Sequence, residues 1–387
     1  MDMNDSPKFS IVIPTRNGLK YLPYTIETVL SQPSQDFELI ISDNHSTDGT
    51  AAYLETITDP RFRYVKPETP LSMVLHFEFV ITQTRGRWIT ILGDDDGLMP
   101  SFFERLDALA IDTLDVDAIT FRRAYYTWDG CQELQGDSVL YYSYYPKKAY
   151  LNNNISIFLC LISLIDYMYL PQLYTTGLIK RSYVESIKAG AGGKFYYGDT
   201  PDASSAAILA LSAPRHYRFE EPLFWTGTSP KSVGFSQESK LLKAKALEFE
   251  SLNVKDGKVF DNVMASRLDP ALADIFDLTI IFYKAVQLCP NAGRMWKSRV
   301  VYYLFLAGLM LKDAKFVPVI MTSYATGPQR LALRLARLAV VAVKREFRRR
   351  NYDLTGKRPE KEIYSRDRHE FPTIREGSIA VARLWQR

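Results

Sequence analysis

Long apolar runs are missing from this 387-residue chain. Its most apolar extended stretch, Ile155 to Leu170, has 16 residues and contains Asp166. That is short for a membrane span and fits a buried helix. Cysteine is scarce: Cys131, Cys160 and Cys289 are the only three, without metal-ligand spacing. They point to a reducing compartment and away from thiol catalysis or a zinc site. Charge of one sign is also lacking, since a net +4 is too small to indicate nucleic-acid binding. No Gly-Lys-Ser/Thr loop follows a strand, which excludes a P-loop enzyme. Met1 to Asp5 is acidic and leads directly into a strand, so no signal peptide is expected in it. What is plentiful is apolar and aromatic: 47% hydrophobic residues with 24 Tyr and 21 Phe, against 24% charged. A well-packed globular chain follows, long enough for two domains or one domain with an extension.

The apolar patterning alternates strand and helix in the first third. Phe9 to Ile13, Phe37 to Ile41, Phe62 to Val65, Trp88 to Leu92 and Ala118 to Phe121 read as strands. Helices are expected over Leu22–Ser31, Ala51–Thr56, Leu71–Thr84 and Ser101–Leu109. Strands and helices of this length imply right-handed crossovers and a largely parallel sheet. The middle is less regular. A hairpin is expected over Tyr125–Tyr145 around Trp128-Asp129-Gly130, a strand over Leu173–Ile179, a helix after Pro201-Asp202 and a strand over Arg215–Trp225. Beyond Glu238 helices dominate, over Ser239–Leu252, Pro270–Leu288 and Arg294–Leu311. The tail after Asn351 is polar and expected to be loosely ordered.

Polar turns end the first, second and fourth strands, so their residues can meet at one edge of the sheet, where open α/β sheets bind ligands. The fourth strand ends in Gly93-Asp94-Asp95-Asp96-Gly97. Three adjacent carboxylates repel one another, whereas a hard divalent cation favours oxygen ligands and shares them with a substrate's phosphates. The alternative is a solvated acidic turn.

Three runs then carry a resemblance: Ile13-Pro14-Thr15-Arg16-Asn17, Ser42-Asp43-Asn44-His45-Ser46-Thr47-Asp48-Gly49-Thr50, and Leu92-Gly93-Asp94-Asp95-Asp96-Gly97-Leu98-Met99-Pro100. Over roughly residues 8 to 235 the chain resembles the family 2 glycosyltransferases. The resemblance implies an α/β fold of the GT-A type, with a nucleotide-binding sheet and helices on both faces. It also implies a nucleotide-diphosphate sugar donor, inversion at the anomeric carbon and Mn²⁺ or Mg²⁺ as cofactor. By the family's motif register Asp95 is the metal ligand and Asp94 meets the donor ribose. Asp96 either completes the metal's water shell or orients the loop. Asp43 resembles the nucleobase-contacting aspartate, with Asn44, Pro14, Thr15 and Asn17 in the same nucleotide-sugar pocket. Asp48 and Gly49 shape the turn. Inversion needs a general base for the acceptor hydroxyl. The family places it at a helix start, which makes Asp202 the choice and Asp199 its rival, while Asp202 as a simple helix cap is the alternative.

The chain departs from the pattern at Gly93, where many members have an acidic residue, and at Pro201-Asp202 in place of Glu-Asp. His76 either faces the donor or is a satisfied core or surface histidine. Trp225 and Ser229 to Lys231 either close over the diphosphate or form an exposed loop. The organisation expected is a transferase domain over 1–235, a helical region over 236–350 and a polar tail over 351–387. Within the transferase domain, residues 1–122 are expected to bind the donor and residues 123–235 the acceptor. The acceptor class is a glycan or a lipid-linked glycan, and no nucleic acid is expected as partner. In Pro328 to Arg350, Arg330, Arg334, Arg337, Lys344 and Arg348 fall near one helical face, opposite Leu331, Leu335, Leu338 and Val341. Such a helix either lies on an anionic membrane surface or packs on the domain with a solvated basic face. The location expected is cytoplasmic, including the inner face of the cell membrane. Two other readings compete. A sugar nucleotidyltransferase would need a Gly-rich basic loop after the first strand, and Pro14 to Gly18 lacks one. A catalytically inactive nucleotide-sugar-binding or accessory protein would share the fold.

Overall fold

The computed structural model describes residues 6–131, 139–144, 148–149, 153–198, 200–212, 215–232, 268–273, 275, 277–324, 326–355, 361–367 and 369–386. The helix expected over Ser239–Leu252 and the rival base Asp199 lie outside these residues, as does the far end of the expected hairpin.

The first strand, β1 (Phe9–Thr15), is apolar on both faces and pairs in parallel with β2 (Phe37–Asp43) and β4 (Trp88–Ile91); β2 pairs in parallel with β3 (Phe62–Val65). A strand buried on both sides needs cover on both sides. Ile11, Ile13, Leu39 and Ile41 pack with Leu22, Ile26 and Val29 of α1 (Leu22–Leu30), Leu54 of α2 (Thr50–Leu54), and Phe102, Phe103 and Leu106 of α4 (Phe102–Ala108). The alternate residues Val12, Ile40, Ile89 and Ile91 pack with Val74, Phe77, Val80 and Ile81 of α3 (Met73–Thr82). The α/β class with helices on both faces is as expected.

The sheet is not largely parallel, however. Its order is β11 (Lys361–Ser365), β7 (Leu140–Tyr144), β6 (Ala118–Thr127), β9 (Gly177–Lys180), β4, β1, β2 and β3. Strand β9 runs antiparallel between β4 and β6. Strand β10 (His216–Thr228) pairs in parallel with β6 and antiparallel with the two-residue β5 (Gly97–Leu98) and with β8 (Lys148–Ala149). Hairpin partner β7 (Leu140–Tyr144) follows β6 as expected.

The helix expected over Ile155–Leu170 is α5 (Asn153–Leu161) only. Ser163 turns left-handed at φ 56°, and Asp166 then caps a 3₁₀ turn by accepting from the Met168 N–H. Apolar length alone could not separate a continuous helix from a buried turn. Next come α6 (Arg181–Gly190), α7 (Pro201–Leu211) and α8 (Pro270–Ala273). The run expected as one helix from Pro270 breaks before α9 (Leu278–Leu288), where Asp277 caps the new N-terminus through the Thr279 N–H. Helix α10 (Arg299–Lys312) starts at its cap Ser298, and α11 (Phe316–Ser323) and α12 (Gly327–Thr355) follow. The tail is the larger correction. Beyond Asn351 the chain adds β11 (Lys361–Ser365), an edge strand antiparallel to β7, and α13 (Ile374–Gln386). The sparse apolar residues Phe371, Ile374 and Val381 are buried in one cluster with Tyr126, Trp128 and Trp225. A one-sided helix needs few such residues.

Candidate active site

Parallel register brings the three polar turns together. Thr15 is level with Asp43, the Asn44 N–H donates to the Thr15 carbonyl at 2.8 Å, and the Leu92 N–H donates to the Val12 carbonyl at 2.8 Å. The acidic run therefore leaves the sheet beside the first turn.

The first two turns are tied by side chains onto backbone. Asp43 is fully buried; its Oδ1 accepts from the Ser46 N–H at 2.9 Å and from the Ser46 hydroxyl, and the Tyr64 hydroxyl donates to its Oδ2 at 3.3 Å. Asn44 holds Leu71 from both sides, donating Nδ2 to its carbonyl at 2.8 Å and accepting its N–H at 2.9 Å. Asn17, at φ 55°, accepts from the Thr47 N–H at 2.7 Å and clasps the two turns together. Pro14, half-buried, sits in register with Ser42. Asp48 accepts from the Leu19 N–H at 3.0 Å and the Thr50 N–H at 3.1 Å, and Gly49 takes φ 92°, which a side chain would resist. Their role is the turn. His76 is buried against the Ser42 hydroxyl at 2.7 Å, and burial holds its imidazole down to about 4. It is a neutral core histidine.

The three acidic side chains have different surroundings. Asp94 Oδ2 accepts from the Thr15 hydroxyl at 2.5 Å and pairs with the Lys231 ammonium at 2.5 Å. Asp95 Oδ2 accepts from the Ser229 and Ser232 hydroxyls at 2.6 and 2.8 Å. Asp96 turns inward: Oδ2 accepts from the Gly93 N–H at 2.6 Å and the Thr175 hydroxyl at 3.1 Å, and Oδ1 from the Gly227 N–H at 2.8 Å. Burial pushes the Asp96 carboxyl up to about 7, with the Asp95 charge adding to it. Asp95 is raised as well, by burial first and the Asp94 charge second. Such a pair gains from any nearby positive charge.

Helix α1 carries the part of the site that residue patterns alone do not reveal. Thr25 Oγ1 lies 2.7 Å from the Asp96 carbonyl and 3.0 Å from that of Asp94. Thr28 accepts the Leu98 N–H at 3.0 Å, and Gln32 donates to the Met99 carbonyl at 3.0 Å while accepting the Phe102 N–H at 3.0 Å. These buried polar groups stand one helical turn apart and satisfy the backbone of the acidic loop. The visible signal is a run of polar residues at i, i+3 and i+7, Thr25 and Thr28 on the buried side of α1 and Gln32 just past its end.

Glycines set the close approaches. A Cβ at Gly18 would stand 2.4 Å from Asp94 Oδ2, and one at Gly227 would stand 1.8 Å from the Asp95 carbonyl. At Gly93 a Cβ would meet Asp96, Asp95 and the Tyr174 hydroxyl at 2.9 to 3.0 Å. Tyr174 thus stands with Asp95 and Asp96 in the space that a side chain at Gly93 would need. Burial and the charges of Asp96, Asp95, Asp202 and Asp94 hold its phenol neutral, well above the usual range. Asp202, at the start of α7, is among the charges that act on Tyr174. It accepts from the Tyr167 hydroxyl at 2.7 Å and from the Ala203 N–H at 2.8 Å.

Trp225 is fully buried and donates to the Ser378 hydroxyl at 2.9 Å, so it belongs to the scaffold. Among the described residues no three His, Cys, Asp or Glu side chains form a metal cage. The donor set instead suits a Mg²⁺-type ion held by one or two carboxylates and completed by substrate phosphates.

Residues 10–171 match the family model described as glycosyl transferase family 2. Succinoglycan biosynthesis protein ExoO of Rhizobium meliloti (strain 1021) is 31% identical over 124 residues, which is 30% of this chain and 36% of that protein. The GalNAc(5)-diNAcBac-PP-undecaprenol beta-1,3-glucosyltransferase of Campylobacter jejuni is 29% identical over 96 residues, 24% of this chain and 31% of its own length. The chain thus spans about a third of each of these relatives. Among solved structures, S. aureus TarS 1-349 in complex with UDP-GlcNAc is similar with a TM-score of 0.47 at 14% identity, covering 92% of this chain and 98% of that one.

Proposed function

We propose, on the premise that residues 10–171 belong to glycosyl transferase family 2, that this protein transfers a sugar from a nucleotide-diphosphate donor to an acceptor hydroxyl, with inversion. The observation that carries the reading is the placing of Asp43, Asp94 and Asp95 at the carboxyl edge of parallel strands, where Thr15, level with Asp43, donates to Asp94. The names of the two relatives support a polysaccharide or a lipid-linked glycan as acceptor.

In this mechanism Asp43, Pro14, Thr15, Asn17 and Asn44 line the nucleotide side and Asp94 meets the donor ribose. Asp95 would hold Mn²⁺ or Mg²⁺, which when bound neutralises the leaving diphosphate as a Lewis acid. Asp96 orients the loop, since its Oδ2 accepts from the Gly93 N–H and the Thr175 hydroxyl and its Oδ1 from the Gly227 N–H. Lys231, paired with Asp94, stands ready to turn to an incoming phosphate. Asp202 takes the proton of the acceptor hydroxyl as that oxygen attacks the anomeric carbon. The neutral Tyr167 phenol donates to Asp202 and fixes its carboxylate in orientation. A cytoplasmic location belongs to the same reading.

A thermal-shift panel of nucleoside diphosphates and nucleotide sugars, with and without Mn²⁺, tests the donor site. One nucleotide is expected to stabilise the protein only with metal, and Asp95→Ala to abolish the shift. Asp202→Asn is expected to keep the shift and to lower turnover about 10²- to 10⁴-fold. No shift with any nucleotide would favour a binding or accessory protein instead.

A further inference from the structure

Helix α12 is apolar on two sides, and the fold uses one of them. Leu333, Ala336 and Val340 are buried, the last two in a cluster with Leu159 of α5, with Ile162 just after it and with Ala307 of α10. These are not the leucines that the sequence sets against the arginines. Leu331, Leu335 and Leu338 remain 58%, 59% and 68% exposed, and Val341 45%. With Ala342 the leucines recur at i, i+4, i+7 and i+11, one continuous stripe on the outer half of the helix. Exposed Arg330, Arg334, Arg337 and Arg345 run beside that stripe on the same outer half. The basic residues therefore do not lie opposite the leucines, across the helix. They form a ridge alongside them, and Leu338, Val341, Ala342, Arg345 and Glu346 line a shallow surface groove.

We propose that this outer half of α12 docks on an anionic lipid surface, the helix lying in the plane of the interface. An apolar stripe with a cationic flank is the pattern that inserts side chains below the headgroups while arginines meet phosphates. Charge complementarity selects this occupant over a second copy of the chain. Two such helices laid together would bring arginine ridges against each other, and like charges across a helix pair repel. No helix among the described residues is long and apolar enough to cross a membrane, so α12 lies on the surface rather than spanning it. The inference stands independently of the sugar-transfer reading.

Flotation of the full chain with phosphatidylcholine vesicles, alone or with phosphatidylglycerol, is the test. Binding is expected with the anionic vesicles only and should weaken as salt rises. Leu335→Gln with Leu338→Gln, and separately Arg334→Gln with Arg337→Gln, should each weaken it about tenfold. All four positions are exposed, so melting temperature and any nucleotide-induced shift should stay unchanged in both variants. Failure to float with anionic vesicles overturns the proposal, as does flotation indifferent to both pairs. A dimer in light scattering that the leucine pair dissolves, with vesicles left unbound, would overturn it in favour of a second copy.

Discussion

Thr25 carries more of the site than its position on an amphipathic helix suggests. Its hydroxyl is the contact between α1 and the carbonyls of two acidic residues, in a place without competing solvent. Thr25→Val keeps the shape and removes the donor. It is expected to cost about 1–3 kcal/mol, because buried carbonyls lose a partner. Urea unfolding measures that cost, and metal-dependent nucleotide affinity should fall with it. Unchanged affinity would show that the acidic loop holds its shape without α1. At this scale the sequence identifies kinds of residue well and their individual oxygens poorly. Three aspartates in a row look alike in sequence. In the fold, Asp96 is bonded inward at both oxygens, Asp94 is paired with Lys231, and Asp95 has hydroxyl donors on one oxygen. Apart from the Gly93 N–H, the partners come from 79 to 137 residues away in sequence, and no local pattern names them.

Among the elements, α13 shows how a polar segment can be structural. Ile374 is fully buried with its methyl group at the back of Gly97, directly after the acidic run, and Arg375 reaches Glu27 of α1 at 3.2 Å. Ile374→Ala leaves a cavity there and is expected to cost about 2–5 kcal/mol. Because the cavity adjoins the loop, nucleotide affinity should drop too. Chemical denaturation and nucleotide titration of the same variant separate the two effects. Loss of stability with unaltered affinity would mean that α13 supports the sheet but not the site. Strands β1, β2 and β4 and helices α1, α3 and α4 were legible because their apolar periods are uninterrupted. The strand β9 was read as well, but its antiparallel direction, the two-residue β5 and the edge strand β11 were not. Short strands are chosen by their neighbours more than by their own residues.

For the whole molecule, acid is the informative perturbation. His76 and His216 are both buried and held down by burial, to about 4 and about 3. Between those values and about 6.5 the unfolded chain binds protons that the folded chain refuses, so stability rises with pH across that window. Each histidine should cost on the order of 1–2 kcal/mol when the pH falls from 7 to 5. His216→Gln, which can still meet the Thr120 hydroxyl bonded at 2.8 Å in the native protein, should remove about half of that slope. Asp96 works in the opposite direction: its raised folded-state value favours the protonated fold, so its contribution is lost as pH rises towards about 7. Melts from pH 5 to 8 on the wild type and the variant measure the difference. An identical slope in both would show that His216 takes up its proton in the folded state.

The sequence by itself determined the α/β layering, the meeting of three polar turns at one sheet edge, and the residue types gathered there. These follow from apolar period, strand length and turn chemistry, all local properties. Only the tertiary structure decided which carboxylate is bonded inward, that Tyr174 stands close to Gly93 with Asp95 and Asp96, that the tail adds an edge strand to the sheet, and which leucines of α12 are buried. Each of those outcomes depends on what arrives from far along the chain to share the space. A period of 3.6 residues defines the faces of a helix, but the neighbour that packs there selects the face removed from water.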